Sequence, residues 1–262
     1  MKKIALTAAS AIALMFSIAS CDKAKDAVNP DVPKIDTPKT STGPTPYAPT
    51  IAGVDGALIA ISMKYKVEQM GINVDVASEI GTAILYDGSR SNIVDGGTVT
   101  LNSVNLEKQT NNSYNKMATA GMTPSDMDMD GGASWNVAGN SSTGIPAFSY
   151  NFGSNFPSYT ETLPSSITKA NGISFNFNSN TVKNADSVYV AIITNSKQVI
   201  KSYAANAGSV TISASDLSSL PAISDKTAYL EVLPIKMTIR SFSNKEYVFI
   251  KEQAIVSSIN IN

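Results

Sequence analysis

Three aspartates stand at alternate positions in Asp126-Met127-Asp128-Met129-Asp130, and Gly131 follows directly. Carboxylates at positions 1, 3 and 5 with a glycine at position 6 match the opening of a calcium loop, in which the glycine allows the turn that converges oxygens on a hard cation. The match then fails. Position 12, which needs a bidentate glutamate, is Val137, although Ser134 can fill position 9 and Asn136 or Asn140 can supply oxygens. No helical pattern flanks the segment. The competing expectation for Asp126, Asp128 and Asp130 is a solvated acidic loop whose alternation comes from an exposed hairpin.

A second group of chemistry-bearing residues runs from Trp135 to Tyr159 and includes Phe148, Tyr150, Phe152 and Phe156 among Asn, Ser and Gly. Exposed aromatic faces beside amide side chains suit sugar rings, because stacking and hydrogen bonding act together. The alternation of Phe148, Tyr150 and Phe152 points instead to one face of a strand and so to the core. Trp135, the only tryptophan, sits in the strand-like Ser-Trp-Asn-Val and also reads as a core residue.

Catalytic constellations are thin. The chain has no histidine and one cysteine, which removes Ser-His-Asp and Cys-His pairs, imidazole bases and the commonest ligand of zinc, copper and non-haem iron. Paired carboxylates hydrolyse glycosides without histidine, but Glu68, Glu79, Glu107, Glu161, Glu231, Glu246 and Glu252 are scattered among polar neighbours. Ser166-Ile167-Thr168-Lys169 has the Ser-x-x-Lys spacing of penicillin-binding enzymes. It lies between Pro164 and the Asn171-Gly172 turn instead of opening a helix, and the other motifs of those enzymes are missing. Non-catalytic work is therefore expected. The 20 basic and 21 acidic residues nearly cancel, so no basic field invites nucleic acid.

The single cysteine has a context of its own. Lys2 and Lys3 precede an apolar run, Ile4–Ile18, shorter than the roughly 20 residues that span a bilayer and suited to the h-region of a secretory signal. An uncleaved anchor is the alternative. Ile18-Ala19-Ser20-Cys21 resembles the lipobox of bacterial lipoproteins, which implies cleavage after residue 20, acylation of Cys21 and attachment to a membrane through the lipid. Residues 21–50 then read as a tether. Pro30, Pro33, Pro38, Pro44, Pro46 and Pro49, half of the chain's 12 prolines, alternate there with Thr, Ser, Lys and Asp, a composition that cannot bury a core and reaches about 90 Å at most in polyproline form.

Beyond residue 50 the pattern is β throughout. Ile59, Ile61, Met63 and Tyr65 alternate with Ala60, Ser62, Lys64 and Lys66, and short strands follow at 81–86, 98–101, 134–138 and 147–152. From Pro164 onward the expected strands are 172–178, 187–194, 198–203, 209–213, 227–233, 236–242, 246–251 and 255–261. The one helix signal is 214–221, with Ser215 as a possible N-cap and Pro221 as the stop. The expected fold is all-β, with two antiparallel sandwich-like modules over residues 51–160 and 161–262.

Asp55-Gly56-Ala57-Leu58-Ile59-Ala60-Ile61, Gly97-Thr98-Val99-Thr100-Leu101-Asn102 and Ile145-Pro146-Ala147-Phe148-Ser149-Tyr150 resemble segments of exported lipoproteins of Bacteroidota. So do Val210–Pro221 and the terminal Val256-Ser257-Ser258-Ile259-Asn260-Ile261. The resemblance implies an immunoglobulin-like C-terminal domain and an outer-membrane or surface location. It supplies no activity residue by residue. Asp22 resembles an enteric inner-membrane retention signal, whereas Cys21-Asp22-Lys23-Ala24-Lys25-Asp26 is similar to the surface-export tags of Bacteroidota. The expectation is a structural, adhesive or accessory binding lipoprotein at the outer membrane, with glycan or a surface protein as partner and glycan capture as the alternative function.

Overall fold

Successive side chains of a strand face opposite ways, so a strand that is apolar at every second position can cover one core, and one that is apolar at nearly every position can sit between two. The structure, a computed structural model, describes residues 53–69, 72–119, 127–153 and 155–262. Cys21, the tether and Asp126 lie outside the described residues. The first part of the chain forms β1 (Gly56–Gln69), β2 (Ile72–Leu85), β3 (Val99–Leu101), β4 (Val104–Asn105), β5 (Glu107–Lys108) and β6 (Tyr114–Thr119). Next come β7 (Ser134–Val137), β8 (Phe148–Asn151), β9 (Ser158–Tyr159), β10 (Ser166–Ile167), β11 (Ile173–Phe177) and β12 (Val182–Lys183). The chain ends with β13 (Ser187–Ile193), β14 (Gln198–Ala204), β15 (Gly208–Ile212), a one-turn helix α1 (Ala214–Leu217), β16 (Ile223–Phe242) and β17 (Lys245–Ile261).

The fold is all-β and sandwich-like. One sheet runs β14-β13-β16-β17-β1-β2-β6-β5, with β10 added alongside β17. Its pairings are antiparallel except for β1 and β10, which both lie parallel to β17. A four-stranded sheet, β4-β3-β7-β8, and two short ribbons, β11-β15 and β9-β12, make up the rest. The first core joins Val99, Leu101, Trp135, Val137 and Phe148 of the four-stranded sheet to Leu58, Ala60, Leu85, Tyr247 and Phe249 of the main sheet. The second joins Phe175, Phe177, Val210 and Ile212 of the ribbons to Val188, Val190, Leu230, Val232, Ile259 and Ile261. Ile59, Ile61, Met63, Ile80, Ala191, Leu233, Ile235, Val248 and Ile250 form a third cluster on the opposite face of the main sheet.

The boundary expected near residue 160 falls just after β9, which pairs with β12 in the second covering layer, and it does not divide the sheet beneath. β1, β2, β5 and β6 come from before it and β13, β14, β16 and β17 from after it, and all share one hydrogen-bonded sheet. The strands expected at 227–233 and 236–242 are one strand, as are those at 246–251 and 255–261. Pro234 suggests a break because proline cannot donate to a ladder. The β16–β17 ladder does skip Leu233 and Pro234, yet it resumes in the same register from Val232↔Ile255 to Ile235↔Glu252. The helix also differs in detail. Its N-cap is Ser213, whose hydroxyl accepts from the Asp216 N–H while the Asp216 carboxylate accepts from the Ser213 N–H, a capping box.

Because β16 and β17 serve both cores, the two halves should unfold together. Leu230→Ala, in the second core, should cost about 2–5 kcal/mol. It should lower the urea midpoint read by Trp135 fluorescence, which reports on the first core, by the same amount as the midpoint read by circular dichroism. A Trp135 midpoint that stays put while the dichroism transition splits would show that the shared sheet does not couple the halves.

Candidate functional site

On β17 the residues facing the covering layers begin with Tyr247 and Phe249 in the first core and end with Ile259 and Ile261 in the second. Lys251 and Gln253 lie between them on the same face, only 2% and 8% exposed. The parallel register sets Ala60 of β1 beside Lys251 and Ser62 beside Gln253, with Lys64 two residues further along the same face. Glu79 of β2 pairs opposite Ser62, and Lys236 of β16 pairs opposite Lys251. A polar strip thus crosses the main sheet where one cover ends and the other begins.

Gly153 and residues 155–159 lie over this strip as a strap. Lys251 Nζ donates to the carbonyls of Asn155 (2.7 Å) and Gly153 (3.3 Å) and lies 4.7 Å and 5.5 Å from the ring centres of Phe152 and Phe156. Gln253 Oε1 accepts from the Tyr159 N–H at 3.2 Å. Asn184 Nδ2 donates to the Phe156 carbonyl at 3.3 Å. Burial, followed by the neighbouring Lys236 charge, pushes the Lys251 ammonium below the usual lysine range. Its two carbonyl acceptors and the aromatic ring faces beside it compensate the desolvated cation.

The aspartate loop forms the other rim. Met127 and Met129 are buried in the first core, so the residues alternating with them turn outward, and Asp128 and Asp130 are exposed. Asn102 gathers the loop: its Nδ2 donates to the carbonyls of Met127 (2.7 Å), Gly132 (2.8 Å) and Asp128 (3.1 Å), and its Oδ1 accepts from the Ser134 N–H (2.7 Å). Glu79 Oε1 accepts from the Met129 N–H at 3.0 Å, which holds the loop to β2. Among the described residues no three of His, Cys, Asp and Glu are grouped to hold a metal ion. Asp130 reaches the strip and Asp128 does not; Asp126 lies outside the described residues.

Floor, strap and rim flank a cleft of about 190 Å³ lined by Ser62, Lys64, Asp130, Asn155, Phe156 and Gln253, together with Met129 and Asn184. The aromatic stretch packs in the core, as its alternation indicates, and forms no exposed platform among the described residues. Trp135, Phe148, Phe152 and Tyr159 are all at least nine-tenths buried, and Tyr150 is half-buried against Phe249 at 4.4 Å between ring centres, with the Arg240 guanidinium 5.5 Å from its own. From the Trp135–Tyr159 stretch, Asn155 and Phe156 contribute to the cleft. Ser166 is paired with Asn260 of β17, and Lys169 Nζ donates to the Leu220 carbonyl at 2.9 Å. Sequence reasoning assigned Ser62 and Lys64 to the polar face of β1 but gave them no role, and it missed Gln253 by reading a break at that point. The usable signal was parity: Gln253 has the same parity as Phe249 and Ile259 on one continuous strand.

The opposite face of β17 carries Glu252, wholly buried between Ile61 of β1 and Ile235 of β16, with neither carboxylate oxygen hydrogen-bonded. Burial, followed by the charge of Glu231, pushes its carboxyl well above the usual range.

Fold and site together define an all-β, sandwich-like protein with a polar cleft at the seam between two covering layers. No protein-family model, no curated protein and no solved structure matches the chain. Among the described residues no helix is long and apolar enough to cross a membrane.

Glu252 makes stability depend on pH. The folded protein keeps this proton above the pH at which the unfolded chain releases its own. Stability is therefore greatest below the ordinary carboxylate range and falls as pH rises toward the raised value, by up to about 1.4 kcal/mol per pH unit. Thermal melts between about pH 5 and pH 8 should show a downward slope that Glu252→Gln flattens. An equal slope in both proteins would remove Glu252 as its source.

Proposed function

We propose that the chain is a non-catalytic lipoprotein of the cell envelope, anchored at the outer membrane through Cys21, whose β body serves as an accessory binding module. The observation that carries the anchoring is the position of the only cysteine, directly after Ile18-Ala19-Ser20 and the apolar run begun by Lys2 and Lys3. One acyl chain binds a membrane marginally and further chains make the attachment lasting, at about 0.8 kcal/mol per buried methylene. The Pro/Thr-rich stretch to residue 50 supports a body held away from the bilayer. Binding, rather than adhesion through bulk surface alone, is supported by the cleft, where Ser62, Lys64, Asp130 and Asn155 have side chains that make no hydrogen bond or ion pair to the described residues. A non-catalytic role is supported by residue type, since the chain lacks histidine and lipidation would occupy its only thiol.

The full chain, expressed in a Gram-negative host fed an alkyne fatty acid, should take up the label and fractionate with outer membranes. Cys21→Ser should lose the label and fail to be processed at residue 20. Label retained in Cys21→Ser, or no label in the wild type, would overturn the anchoring.

A further inference from the structure

We infer that the seam cleft binds a single neutral sugar ring. This rests on the reading of the body as a binding module and is independent of the lipid anchor.

The first ground is a set of polar side chains with nothing to bond. Asp55, Asp87, Asp95 and Asp216 are engaged by side chains or backbone N–H groups, whereas the side chains of Asp128 and Asp130 have no partner among the described residues; of these two, Asp130 lines the cleft and does not pair with Lys64 there. Gln253 also lines the cleft; its side chain is nine-tenths buried and its Oε1 is fixed by the Tyr159 N–H.

The second ground is the mixture of groups. Lys64 donates, Asp130 accepts, and Ser62 and Asn155 do both. Sugar hydroxyls also donate and accept, and so match such a set where a simple anion or cation would satisfy half of it. The Lys64 and Asp130 charges cancel, which favours a neutral ligand. Phe156 supplies an apolar surface for the C–H face of a ring, as aromatic side chains do in polar pockets. Size sets the number of rings. At about 190 Å³ the cleft is smaller than the ~300–1,000 Å³ of pockets for drug-sized ligands, so it holds one ring while any continuing chain leaves through the open side.

The test uses the mature full-length lipoprotein in a sugar-free detergent and saturation-transfer NMR. The probes are glucose, galactose, mannose and N-acetylglucosamine, with alanine and glutamate as charged small molecules of similar size. At least one neutral sugar should receive saturation from the protein. Asp130→Ala and Ser62→Ala should each weaken that sugar's binding, the aspartate change by about tenfold or more, without altering the thermal melt. Transfer to no sugar, transfer unaffected by Asp130→Ala, or transfer to the amino acids alone would overturn the inference. None of these outcomes alters the Cys21 labelling result, so the two readings fail separately.

Discussion

At about 3.3 Å per residue, the 17 residues of β17 extend over about 55 Å. A sheet of four short strands at ~4.8 Å spacing is about 19 Å wide, and its longest members have four residues each. No single cover of that size can bury one whole face of β16 and β17. Two separate covers do, each over its own core, and a strip of the face is left between them. The residues in that strip must be polar, or be held under something polar, and the strip cannot be moved without shifting the register of every strand beneath both cores. The cleft follows from strand length before any ligand is considered.

Lys251 and Gln253 deal with the strip in two ways. The lysine is taken fully inside, and its charge is met by two strap carbonyls and the rings of Phe152 and Phe156. That arrangement fixes the strap, because releasing it would leave a desolvated cation with no acceptor. The glutamine bonds the strap through its Oε1 and lines the cleft. Between them Glu252 points the other way, into an apolar face, and stays buried by keeping its proton. Three consecutive polar residues in the middle of a central strand therefore do three different jobs, assigned by parity and by what lies over each side.

The sequence made most of the strands legible. The alternation of Ile59, Ile61 and Met63 is that of one buried face of β1, and the segments from Gly172 to Ser213 fall within a residue or two of β11, β13, β14 and β15. The reading failed where pattern and turn chemistry disagreed. Pro234 and the Glu252-Gln253-Ala254 stretch look like breaks because interior strands seldom carry proline or ionisable groups, and both strands run straight through them. Tertiary pairing across the β16–β17 ladder outweighed local preference. The aspartate loop carries two patterns at once: its alternation has the spacing of a metal loop, and Met127 and Met129 are core residues while Asn102 bonds the loop carbonyls.

Both missed strand continuities fall at the seam, and this has a physical cause. A long strand under a single cover would show unbroken alternation and be read as one strand. A strand shared by two covers must carry polar residues at core parity where the covers part, and those residues look like a loop when the sequence is read alone. A polar interruption that preserves parity, such as Phe249 through Gln253 to Ile259, is thus the mark of a strand crossing between two cores, and it also shows where a cleft with polar walls must open. In this chain the same few residues both break the pattern and line the site.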